Sequence, residues 1–175
     1  MRGLINRCAC AILCLLLVSF CISGCSRRAD PEEVILSMLE CERALGEGRI
    51  YSLAAGKESD GYLSGEMLLS LYGFDRELSG LVDGAICLSP FYYPFELAVF
   101  VCESTLCAED IALAFNNRLA LLEKNAVFAA PFCQMSPEEY RAYIKDAEVI
   151  ISGRYVVLII ASDTAAVKRA FLQAT

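Results

Sequence analysis

The sequence predicts an α+β fold: an antiparallel sheet of about four strands with helices packed on one side. Three observations point there. Five segments carry apolar residues at helical spacing, and each opens on a residue suited to capping. Two β-branched runs, 148–152 and 155–161, are separated only by Gly153-Arg154. A second pair of extended runs, 85–89 and 96–102, is joined by a short connection bracketed by Pro90 and Pro94. Connections this tight favour antiparallel pairing.

The first helix follows Asp30-Pro31-Glu32-Glu33. Asp30 suits the cap, proline suits the first turn, and Glu33 is placed to close a capping box. Ile35, Met38, Leu39 and Leu45 form its apolar stripe, and Gly46 and Gly48 end it. Residues 49–63 are ambiguous, with a short strand over Arg49–Ala54 as one reading. Ser64 caps a helix carrying Met67, Leu68, Leu71 and Tyr72, stopped by Gly73. ELAVFVC, residues 96–102, is apolar at nearly every position and is therefore predicted to be central.

Ser104 or Thr105 starts the next helix, with Ile111, Phe115, Leu119 and Leu122 on one face. Ser136-Pro137-Glu138-Glu139 opens another, burying Tyr140, Tyr143, Ile144 and Ala147. Gly153-Arg154 fits a two-residue hairpin with glycine first. Asp163 caps a last helix, with Val167, Ala170 and Phe171 facing in.

The N-terminus has a different character. Residues 1–7 are short and positive, and residues 8–22 form an apolar run of 15. A helical membrane span needs about 20 residues, whereas the core of an export signal needs about 7–15. The run ends in Ile22-Ser23-Gly24-Cys25, which resembles a bacterial lipobox. That resemblance implies diacylglyceryl transfer to the Cys25 thiol and cleavage before it. A plain secretory signal with a chance cysteine is the alternative. The chain then divides into a lipoprotein signal peptide (1–24), a lipidated cysteine with a short tether (25–30) and one globular α+β domain (31–175). Two acyl chains suffice for stable anchoring, at about 0.8 kcal/mol per buried methylene. The expected location is the extracytoplasmic face of the cell membrane.

Composition narrows the chemistry. Of 175 residues, 57% are apolar and 21% charged, and the net charge is −7. Setting aside Arg2 and Arg7 leaves −9 from Cys25 onward, which argues against nucleic acid as a partner. The chain contains no histidine. A Ser-His-Asp triad, a Cys-His pair and a His-ligated zinc site are thereby excluded. No metal and no cofactor are expected. The acidic pairs Glu32/Glu33, Glu109/Asp110 and Glu138/Glu139 stand at helix starts, where exposed N–H groups attract negative charge.

The layout as a whole resembles a family of small bacterial lipoproteins, common in Gram-positive anaerobes, that share a domain of unknown function. The similarity covers roughly residues 48–175. It rests on Leu71-Tyr72-Gly73, on Glu96-Leu97-Ala98-Val99-Phe100 and on Gly153-Arg154-Tyr155-Val156-Val157. It implies an exported, lipid-anchored α+β domain and assigns no reaction. This chain departs from the family in its many cysteines and in an aromatic loop before Glu96.

That loop, Phe91-Tyr92-Tyr93-Pro94-Phe95, supplies the candidate binding residues Phe91, Tyr92, Tyr93 and Phe95. Aromatics at a hairpin tip offer rigid contact area with polar ends. They suit a protein partner, a sugar ring or the lipid interface; the alternative is that they fold back over the sheet. Cys41, Cys87, Cys102, Cys107 and Cys133 read as buried small hydrophobes, with a Cys87–Cys102 bridge conceivable between neighbouring strands. The expected role is a non-catalytic module binding an envelope protein, a wall polymer or a small ligand. The alternatives are a thiol-active envelope protein using Cys102 or Cys107, and a hydrolase working with carboxylates alone.

Overall fold

In a computed structural model, the structure describes residues 29–42, 48–90 and 93–175. Five strands form one sheet: β1 (Arg49–Ser52), β2 (Leu81–Leu88), β3 (Glu96–Cys102), β4 (Glu148–Ser152) and β5 (Tyr155–Ile160). Their order is β1-β2-β3-β5-β4, antiparallel at every junction. The described helices are α1 (Pro31–Leu39), α2 (Gly65–Tyr72), α3 (Thr105–Ala129), α4 (Pro137–Lys145) and α5 (Thr164–Ala174). The α+β class predicted from sequence is therefore the observed one.

Local signals place the helix starts. Asp30, Ser64, Ser104, Ser136 and Asp163 are the N-caps, and the side chain of each accepts a bond from a backbone N–H of the first turn. Ser136 and Glu139 close a full capping box. At α1 the donor to Asp30 is the Glu32 amide, and the described residues hold no return bond from Glu33. Gly73 ends α2 at φ +78°, a left-handed conformation that favours glycine. Gly153, at φ +58°, turns the β4–β5 hairpin.

Three expectations are corrected. The sheet has five strands, because residues 49–52 pair with β2 in the register Arg49↔Leu88 to Ser52↔Ala85. Helix α1 stops at Leu39, well short of Gly46, and residues 43–47 lie outside the described residues. Most importantly, helices cover both faces of the sheet. Ile86, Ala98, Phe100, Val156 and Leu158 pack under α2, α3 and α4. Cys87, Leu97, Val99, Val157 and Ile159 pack under α1 and α5. The cause lies in the strands. β3 is buried at all seven positions, and β5 at every position after Tyr155. Successive side chains of a strand point to opposite faces, so a run this apolar exposes hydrocarbon unless both faces are covered.

The face under α2 and α3 is rich in aromatic rings. Tyr72, Phe74, Phe100 and Phe115 meet at centroid separations of 5.2 to 6.0 Å. Fully burying a side chain of this size contributes about 1.5–3 kcal/mol relative to leaving it exposed. On the other face, Glu42 is fully buried and ties the segment after α1 to the start of α5. Its carboxylate accepts from the Ser162 amide at 2.6 Å and from the Ser162 hydroxyl at 2.9 Å. Among the described residues, no helix is long and apolar enough to cross a membrane.

Candidate functional site

Beside the aromatic cluster the core contains a polar group built from three elements. Glu96 is the first residue of β3 and only 2% exposed. Its Oε1 accepts a bond from the Tyr72 hydroxyl of α2 at 2.7 Å. Its Oε2 accepts from Nε and Nη2 of Arg118, on α3, at 3.2 and 3.0 Å. Both carboxylate oxygens are thus engaged, and the ion pair neutralises itself inside the fold. Burial pushes the Tyr72 hydroxyl well above its usual range, and the neighbouring Glu96 charge and hydrogen bond push it further. Burial alone would lower the Arg118 guanidinium, but Glu96, Tyr72 and Tyr140 together hold it above its ordinary value. Tyr140 is also raised, first by burial, with Cys133 and Glu96 adding to the effect.

Arg118 separates two clefts. One, of about 470 Å³, is bounded by Tyr93, Phe95, Glu96, Arg118, Asn125 and Tyr140, with leucines between them. The other, of about 430 Å³, lies between α2 and the outer side of α3. The first has the composition of a ligand site: apolar walls and a few converging polar groups. Burial raises the Tyr140 hydroxyl, so it stays neutral at physiological pH, and the buried charge pair of Glu96 and Arg118 is already matched. The arrangement suits an uncharged ligand that can hydrogen-bond and also lie flat against a ring.

The four loop residues named from sequence do not act alike. Phe95 is 6% exposed and sits in the core under α1 and α5, edge-on to Tyr143 at 4.7 Å. It is a wall and an anchor, so the expectation of an open aromatic tip fails at this residue. Tyr93 is 37% exposed and stacks on Phe95 with the rings 6.2 Å apart and 7° from parallel. Phe91 and Tyr92 lie outside the described residues, as does Cys25. Sequence reasoning missed Tyr72, Glu96, Arg118 and Tyr140 as a group. One signal was available: Arg118 falls seven residues after Ile111, on the apolar face of its helix.

The cysteines are rearranged relative to expectation. Cys87 pairs with Leu97 and faces α1 and α5, whereas Cys102 faces α3 from the far end of β3. A Cys87–Cys102 bridge is therefore ruled out by opposite faces. Instead, the Cys107 thiol meets the Cys102 sulfur at 3.0 Å. Burial pushes the Cys87 thiol up to about 11, so it stays protonated and inert near neutrality. Treating the folded protein with diamide, which takes up two electrons and two protons, should join Cys102 to Cys107 and leave Cys87 a thiol. Peptide mapping checks this, and Cys107→Ser should abolish the bridge. A bridge to Cys87 would contradict the geometry. Among the described residues, no three metal-ligating side chains converge.

Compared with known proteins, the chain matches no family model, no curated sequence and no solved structure.

Proposed function

We propose that the protein is a lipid-anchored module on the extracytoplasmic face of a bacterial membrane, and that it binds a neutral saccharide segment of the cell wall without transforming it. The lipobox-like Ile22-Ser23-Gly24-Cys25 and the resemblance to small Gram-positive lipoproteins support the anchor. The observation that carries the binding role is the cleft beside Arg118. Its floor is a charge pair that satisfies itself, and its wall includes the half-exposed, stacked ring of Tyr93. A sugar ring offers what such a cleft takes: hydroxyls for Asn125 and Tyr140, and an apolar face for the aromatic ring.

Ring stacking contributes about 0.5–1.5 kcal/mol, so Tyr93→Ala should weaken binding several-fold to about tenfold. The probe is a soluble tetramer of neutral N-acetylated hexosamines, titrated into the full-length protein in detergent and followed by tyrosine fluorescence. Saturable binding weakened by Tyr93→Ala supports the reading; no binding at millimolar tetramer overturns it. For the anchor, Cys25→Ala should move the protein from the membrane fraction to the medium. Identical partitioning of the two forms would refute lipidation there.

A further inference from the structure

The outer face of α3 carries large apolar side chains that no other described residue covers. Leu106, Leu113, Leu121 and Phe128 are 66, 60, 46 and 75% exposed. Between them on the same ridge stand Asp110, Asn117 and Lys124, all exposed. At about 100° per residue, these seven positions fall within a stripe roughly 80° wide. The face that α3 buries, with Ile111 and Phe115, points the other way.

The spacing of the stripe reads the same in both directions. From Leu106 the steps are 4, 3, 4, 4, 3 and 4, with Asn117 at the centre. When a second copy of the helix lies antiparallel across Asn117, Leu106 meets Phe128, Asp110 meets Lys124, Leu113 meets Leu121, and Asn117 meets itself. Every apolar residue then faces an apolar residue, and each acid faces a base. Neither Asp110 nor Lys124 has an ion-pair partner within the described residues.

We propose that α3 is the interface of a two-fold symmetric homodimer, paired antiparallel about Asn117. A two-fold interface needs one patch complementary to itself, and this ridge is complementary to its own reversal. The charges decide between occupants. Against lipid, Asp110 and Lys124 would lose water and gain no partner. Against a second copy, both find one, twice per dimer. The groove between α2 and α3, lined by Leu69, Leu113, Asn117 and Leu121, borders the ridge and gives the partner helix a seat. The proposed ligand cleft lies on the other side of Arg118 and stays open.

Charge exchange tests this on the full-length protein in detergent, by sedimentation equilibrium. The wild type should be dimeric. Asp110→Lys or Lys124→Asp alone should weaken the dimer at least tenfold, because each sets two like-charged pairs face to face. The double variant D110K/K124D should return to within about threefold of wild type. Asn117→Cys should crosslink to itself under oxidation, and Asn116→Cys, on the neighbouring face, should not. All of these positions are exposed, and an unchanged circular dichroism spectrum confirms the fold. A monomer at 100 µM, a double variant no better than either single one, or a monomer that binds lipid vesicles through this face would each overturn the proposal.

Discussion

Arg118→Met is expected to lower the stability of the fold by about 3–5 kcal/mol, the range for leaving one partner of a buried pair uncompensated. Glu96 is 2% exposed, and among the described residues its only other hydrogen-bond donor is the Tyr72 hydroxyl. The pair itself contributes far less than this, since burying two charges costs nearly what their attraction returns. A second substitution separates the two statements. Glu96→Gln combined with Arg118→Met removes both charges and should recover most of the loss. Urea unfolding of the wild type and the two variants reads the difference. A loss under about 1 kcal/mol in the single variant would mean that water reaches Glu96, and the cleft floor is not as described.

The same cluster has a signature in alkali. The Tyr72 hydroxyl is raised in the folded state above its ordinary value of 10.0. Below that value the tyrosine is protonated whether folded or unfolded, and its contribution is intact. Above it the unfolded chain ionises first, so stability falls as pH rises towards the folded-state value. Tyr72→Phe should flatten this decline while losing the bond to Glu96.

Gly84→Ala is expected to be the second most damaging small change, at about 1–3 kcal/mol. A methyl group at this position would lie 2.2 Å from Cδ1 and 2.5 Å from Cε1 of Phe100. Phe100 is fully buried and packed against Tyr72, Phe74 and Phe115, so its ring has nowhere to go. Gly84 and Phe100 are direct partners across β2 and β3, and the glycine is the space that the ring occupies. Phe100→Leu frees part of that space. The double variant should therefore be less destabilised than the sum of the singles, a coupling that thermal unfolding can measure. Strict additivity would show that the two sites do not compete for one volume.

The helix starts were legible because capping is local: each N-cap needs only its own side chain and an amide two or three residues on. The central place of β3 was also legible, since few strands are apolar at six successive positions, as Leu97–Cys102 is. The same run held the news that both faces are covered, because a strand apolar at odd and even positions cannot rest on one layer. The inward turn of Phe95 follows the same rule. Residues 95, 97 and 99 share one face by alternation, and all three pack under α1 and α5. β1 was harder. Arg49–Ser52 has no strong pattern of its own and becomes a strand through its pairing with β2. The polar cluster was hardest of all. Glu96 finds Tyr72 and Arg118 across separations of 24 and 22 residues, which no local spacing reports.

Helix α1 rests on α5, and Val34, Ile35 and Met38 share one core with Val167 and Phe171. β3 likewise has β5 along one whole edge. The earliest and latest elements of the described domain therefore complete each other. While this polypeptide is being synthesised, helix α1 has no finished surface to settle on until about residue 171 has emerged from the ribosome. Acquisition of the native state is then one late, concerted event, and the emerging chain remains open to chaperones for nearly the whole of translation.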